Sequence, residues 1–222
     1  MPDYNVFPDY KTRKEIINEL CDRYKFIKHC FAGKSVCGRG IDVLHIGNTK
    51  NRVLYCGGFH GSEYLTILAL LKFFEECCEA MESDRTVGGC KIGNFLSIRG
   101  LTIVPCVNPD GTEIALHGSD AAFKYKPLVE KVCTDTYKWQ ANARGVDINH
   151  NFNAGWCRLK QLELKNNIKC PARQDSAAII PKANPKQRHL QHFAVILTLN
   201  GQSLCTVRDG KFTAHSADTH PF

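Results

Sequence analysis

The chain has 222 residues, 43% of them hydrophobic and 23% charged, with a formal net charge of +7. That length suits a single domain, and the composition is globular, which excludes disordered and fibrous classes. No apolar run approaches the roughly 20 residues a membrane helix needs, and the polar opening MPDYNVFPDYKTRKEI has no apolar signal-peptide core.

A soluble, cytoplasmic protein without membrane partners is therefore expected. The positive charge is scattered, with no basic run and no interleaved aromatic platform, so nucleic acid is not expected as a partner. The 12 cysteines follow no zinc-ribbon or CxxC spacing. In a reduced compartment they should be free thiols packed as small hydrophobes. Adjacent Cys77 and Cys78 in a helical stretch argue further against a disulfide framework.

Ile16, Ile17, Leu20 and Tyr24 recur at helical spacing and predict an amphipathic helix from about Tyr10 to Tyr24. Residues Ser35 to Ile46 alternate around a Gly-Arg-Gly turn and read as a strand pair. VLYC is a short strand broken by Gly57 and Gly58; the polar loop after it runs into YLTILALLKFFEECCEAM, a largely buried helix. Strand, glycine loop and helix form the unit from which α/β sheets build sites. LTIVPCVN, β-branched and unalternating, reads as a buried parallel strand ending in the turn Asn108-Pro109-Asp110-Gly111. GTEIALHG onward to Trp139 reads as loop and short helix. NARGVDINHNFNAGW should bring one more short strand into a polar loop.

Three places could carry chemistry. His60 and Glu63 form His-x-x-Glu after a strand, and imidazole and carboxylate are both zinc ligands that one turn can aim at one ion. Alone, the pair reads equally as a surface histidine and a helix-start glutamate. Asn108 to Gly111 reads as a strand-ending turn with no direct role. Arg144 lies in a polar loop with Asn149 beyond it; an arginine beside a metal can polarise a carbonyl or clamp a carboxylate, or simply be solvated.

Taken in order, GGFHGSE, IVPCVNPDGTEIALHG and NARGVDINHNFNAGW resemble the zinc metallocarboxypeptidases of the carboxypeptidase A/B type. The nearest likeness is to bacterial members that cleave γ-D-glutamyl–diamino acid bonds in cell-wall peptides. The resemblance implies an α/β fold with a mixed, mainly parallel sheet flanked by helices. It implies a zinc hydrolase acting on peptides, muropeptides among them. His60 and Glu63 would be two of three zinc ligands. Arg144 would be the catalytic arginine that steadies the oxyanion, and Asn149 would hold a substrate carboxylate. Where the family usually carries a second carboxylate-binding arginine this chain has His150, which weakens the expected grip on a free C-terminus. The non-catalytic alternative is a domain that binds muropeptide-like ligands through Arg144 and Asn149. An HxxE-type zinc deacylase on the same fold is disfavoured by the NPDG loop.

The family also implies a third ligand, a histidine in a His-Ser motif, and a general-base glutamate. The chain's one such pair, His215-Ser216, has no strand pattern before it, and no glutamate follows Glu163. From Gln174 onward the texture changes: no clear period, three acids, four of the nine histidines, and one plausible strand, FAVILTL. Codons allowed for QDSAAIIPKANPKQRHLQHF, read in a frame displaced by two nucleotides, spell RFGGYYPESEPETKALATF. The same displacement over Ser203 to Phe212 permits ALHSQGREIY. Both resemble the family's sequence, the second including its His-Ser histidine. The expected organisation is thus a tail at 1–9, a carboxypeptidase-like domain at 10–173 with its C-terminal part incomplete, and an out-of-frame tail at 174–222.

Overall fold

The computed structural model describes residues 2–151, 156–168, 170–174, 204–208 and 211–215. Helix α1, Tyr10–Arg23, begins at Asp9, whose carboxylate accepts from the Thr12 amide at 2.8 Å as an N-cap. Its buried Ile16, Ile17 and Leu20 are the predicted apolar stripe. Strands β1 (Lys28–Lys34) and β2 (Gly40–Ile46) are the predicted pair, but Ser35 to Arg39 make the turn instead of opening the first strand. β3 (Arg52–Cys56) leads through the glycine loop to α2 (Leu65–Glu82). The short β4 (Thr86–Val87) and β5 (Cys90–Lys91) and helix α3 (Ile92–Ile98) follow, then β6 (Gly100–Val104), buried at every position. Helices α4 (Pro109–His117), α5 (Lys126–Val132) and α6 (Trp156–Lys165) complete the helical part, and β7 (Leu204–Arg208) pairs antiparallel with β8 (Lys211–His215).

The sheet is mixed, in the order β1-β2-β6-β3. Only β3 and β6 run parallel; the β1–β2 and β2–β6 pairs are antiparallel, so among the described strands the mixed character is clearer than the parallel one. Side-chain alternation gives the sheet two apolar faces. Leu44, Ile46, Leu101 and Ile103 pack with α1, α2 and α3 in the main core. On the other face Ile41, Leu54, Cys56 and Val104 are covered by Phe59, Val107 and Ile148, all from loops. The strand expected in NARGVDINHNFNAGW is absent among its described residues. The Asn142 side chain accepts from the Arg144 and Val146 amides at 2.8 and 3.2 Å, and Gly145 takes φ +67°, so the segment closes as a turn. Local side-chain bonding of this kind competes with strand pairing. FAVILTL lies outside the described residues.

Among the described residues eleven cysteines are free thiols, as expected, and burial pushes the Cys56 thiol up to about 12. Among the described residues no helix is long and apolar enough to cross a membrane.

One buried ion pair ties the β1–β2 turn to α4. Asp110, in the first turn of α4, accepts from Arg39 Nη1 at 2.9 Å, from the Ser35 hydroxyl at 2.7 Å and from the Cys37 amide at 2.9 Å. Both charged side chains are almost wholly buried. Removing one partner of such a pair leaves an uncompensated charge in a low-dielectric site. Arg39→Met is therefore expected to destabilise the protein by about 3 kcal/mol in chemical denaturation; a loss under ~1 kcal/mol would show that water reaches Asp110.

Candidate active site

Three loops meet beyond the C-terminal ends of the two parallel strands. The first follows β3 and carries His60 and Glu63; the second joins β6 to α4 through Asn108; the third runs from Trp139 to Asn151. Asn108, 1% exposed, joins all three. Its Oδ1 accepts from the Gly111 amide at 3.0 Å and caps α4, with Pro109 at the first helical position. Its Nδ2 donates to the carbonyls of Phe59, Gln140 and Ala141 at 3.0, 3.0 and 3.1 Å. The NPDG sequence is thus a turn, as expected, but its asparagine is also the fastener of the site. Close backbone packing demands glycine here: a Cβ on Gly61 would lie 2.2 Å from the Gly111 carbonyl oxygen.

His60 and Glu63 are brought together as expected. The Glu63 amide donates to the His60 carbonyl at 3.2 Å, a turn that puts His60 Nδ1 2.9 Å from Glu63 Oε1. The other ring nitrogen, Nε2, lies 3.4 Å from Oδ1 of Asp147, a carboxylate buried to 1% exposure. Asp147 was not singled out in the sequence; its only signal was an acid within the Arg144–Asn149 loop. The imidazole is thus flanked by carboxylates on both sides. Burial works against its protonation, but the hydrogen-bonding approach of Asp147 and Glu63, and then their charges, outweigh that and raise its pKa from 6.5 to about 10.

Both His60 ring nitrogens are buried, and neither has an aligned hydrogen bond despite those short distances. An imidazole with a carboxylate facing each ring nitrogen fits an ion-paired histidine and equally a metal ligand whose second nitrogen a carboxylate orients. Nδ1 and the Glu63 oxygen converge, and both are zinc donor types. Asp147 sits on the far nitrogen, the position of a group that orients a ligating histidine. Accordingly, no group of three or more His, Cys, Asp or Glu side chains among the described residues is arranged to hold a metal ion. The residues present fit zinc as two ligands with one supporting carboxylate.

Arg144 stands three residues before Asp147, so at most about 11 Å of chain separates them. It is exposed, and its Nε donates to the Tyr125 hydroxyl at 3.4 Å. Asn149 and His150 lie in the short 3₁₀ turn Asn149–Asn151, where the Asn149 amide donates to Asp147 at 3.0 Å. His150 is half-buried, with Nδ1 unpartnered among the described residues. Arg144, Asn149 and His150 share the loop of Asp147, but among the described residues no hydrogen bond or ion pair joins them to His60 or Glu63. Of His215 only the backbone in β8 is described.

Comparison with known proteins supplies the family. The zinc carboxypeptidase family profile matches residues 14–205, and the chain belongs to that family. Two bacterial relatives lie nearer to particular proteins. The γ-D-glutamyl-L-diamino acid endopeptidase 1 of Lysinibacillus sphaericus is 30% identical over 181 residues, 80% of this chain and 45% of the relative. The uncharacterised protein YqgT of Bacillus subtilis is 28% identical over 186 residues, 82% of this chain and 48% of the relative. Among solved structures, the carboxypeptidase A of Helicoverpa armigera superposes with a TM-score of 0.58 at 20% identity, covering 85% of this chain and 42% of that one. Thrombin-activatable fibrinolysis inhibitor superposes with a TM-score of 0.60 at 16% identity, covering 84% and 43%. These two likenesses concern the fold. The chain spans about half the length of the curated relatives it matches.

Proposed function

We propose that this protein derives from a zinc-dependent peptidase that hydrolyses amide bonds in peptides, the γ-D-glutamyl–diamino acid bonds of cell-wall peptides among them. The observation that carries the reading is the convergence of His60 Nδ1 and Glu63 Oε1 at 2.9 Å, with Asp147 on the far ring nitrogen. Zinc, when bound, supplies Lewis-acid polarisation and an activated water. His60 and Glu63 hold it, Asp147 keeps the imidazole in its ligating orientation, and Arg144 offers a fixed positive charge to the carbonyl oxygen as negative charge grows there. Asn149 contributes a neutral contact to a substrate carboxylate. His150 in place of a permanently charged fork weakens selection for a free C-terminus. The likeness to an endopeptidase supports the same relaxed choice.

On this reading residues 1–222 hold two of the three ligands, and between Glu163 and Phe222 no glutamate is present to act as base. We read the chain as a weak zinc binder without efficient peptidase activity, its residues 174–222 translated out of frame. The domain division at 10–173 rests on that reading. The family match, which continues to residue 205, is the finding against which it must be weighed. Zinc binding by the purified protein, measured by chelator competition beside a peptide-hydrolysis assay, separates enzyme from binder. Tight zinc binding that survives His60→Ala would remove His60 from the site.

The same experiment has a pH dependence. A ligating histidine must be neutral, whereas metal-free His60 stays protonated up to about pH 10. Binding therefore displaces one proton, and zinc affinity should rise roughly tenfold per pH unit between about pH 6 and 8. Metal-free stability runs the other way. The contribution of His60 is complete below its unfolded value near 6.5 and is lost as pH rises through 10. A pH-independent zinc affinity would show that another group is the ligand.

A further inference from the structure

Tyr125 closes the 3₁₀ segment Ser119–Tyr125 and has two cations close to its ring. The Arg144 guanidinium lies 5.9 Å from the ring centroid, with its Nε also on the hydroxyl at 3.4 Å, and Lys124 Nζ lies 5.3 Å from the same centroid. Neither Lys124 nor Arg144 has an acidic partner among the described residues. The next cation along the chain is different: Lys126 is neutralised by Asp120 at 2.6 Å and Glu130 at 3.7 Å. Two uncompensated cations around one ring repel each other, and an anion held between them relieves that repulsion.

The backbone is held for this presentation. Phe123, 61% exposed, sits at φ +52° and ψ −120°, a conformation costly for a bulky residue. Arg39, fixed by buried Asp110, supports it with its guanidinium 4.9 Å from the Phe123 ring centroid and its Nη2 on the Ala121 carbonyl at 2.9 Å. A strained residue braced by a buried ion pair turns the chain where Lys124 and Tyr125 begin.

We propose that Lys124, Tyr125 and Arg144 form a recognition site for a substrate carboxylate next to the scissile bond, the free α-carboxylate that a γ-linked glutamyl residue retains. This rests on the peptidase reading above and adds a substrate feature to it. A γ-linkage uses the side-chain carboxyl for the amide and leaves the α-carboxyl ionised a few bonds away. An ordinary α-linked peptide has no such group at that point. Lys124 is a specificity residue here, and Tyr125 is a positioning residue that holds the Arg144 guanidinium by its Nε and leaves its terminal nitrogens for the ligand.

The test uses the full chain and NMR titrations with three probes. These are N-acetyl-γ-D-glutamylglycinamide, the same compound with its α-carboxyl converted to the carboxamide, and α-linked N-acetyl-alanylglycinamide. The acid should bind at least tenfold more tightly than its carboxamide. Lys124→Gln, at an exposed site, should reduce that ratio to about threefold or less while the melting temperature is unchanged. Tyr125→Phe should shift the Arg144 Nε proton signal and lower the ratio without removing it. Equal binding of acid and carboxamide, including no detectable binding of either, overturns the carboxylate site. So does a ratio that Lys124→Gln leaves intact. If acid and carboxamide bind equally yet both exceed the α-linked peptide, the carboxylate site falls and the γ-glutamyl reading stands. If the α-linked peptide binds best while the acid–carboxamide ratio persists, the site is supported and the γ-glutamyl reading falls.

Discussion

Asn108→Ala is expected to cost on the order of 5 kcal/mol of stability, a large part of the roughly 5–15 kcal/mol a domain of this kind possesses. The side chain donates to the buried carbonyls of Phe59 and Ala141 and the part-buried one of Gln140, and caps α4. Loss of the cap alone costs about 1 kcal/mol. Each buried carbonyl left without a donor adds about 1–3 kcal/mol, less where another donor is shared. Asn108→Asp should be worse near neutral pH despite keeping the cap acceptor, because it sets a carboxylate against three carbonyl oxygens. It should recover in part as the pH falls and the carboxyl protonates. Urea denaturation of both variants checks this. Losses under ~1 kcal/mol would mean that the three loops are fastened by something else. Because Phe59 precedes His60 and Ala141 precedes the Arg144 turn, a folded Asn108 variant should also bind zinc more weakly than the parent.

Repairing the reading frame by one nucleotide near codons 170–174 is expected to raise peptide hydrolysis from background by at least about a hundredfold. Proton transfer by a positioned base is by itself worth about 10²–10⁴ in rate, and no glutamate stands between Glu163 and Phe222 to provide it. The repaired frame would also supply a third ligand, and catalytic zinc sites use three. Zinc binding and hydrolysis should therefore return together. Two results would sink the idea. One is coding DNA in which no single insertion or deletion recovers PESEPET and His-Ser-Gln-Gly. The other is robust zinc-dependent hydrolysis by the present chain.

The contrast between what could and could not be read from the residues follows the range of the interactions. The α1 stripe of Ile16, Ile17 and Leu20, the buried α2 and the wholly buried β6 are local patterns of period and composition, and all three stand in the structure. The His60–Glu63 convergence was legible for the same reason, since it needs one turn of chain. The β1–β2 turn was misplaced because glycines advertise turns without saying which one pairing will use; the Arg39–Asp110 bond selects Ser35 to Arg39. The strand expected around Val146 failed because Asn142 satisfies its neighbours' amides within the loop.

Sequence by itself determined the family, helices α1 and α2 and the two candidate ligands, because motif order and short-range periodicity are written along the chain. Only the tertiary structure decided that Asn108 binds three loops together, that Asp147 stands behind His60, and that Lys124 and Arg144 share one tyrosine. Those partners are separated by dozens of residues or by a change of direction. Their hydrogen bonds exist only after the sheet has brought the loop ends to one edge, so no local pattern could announce them.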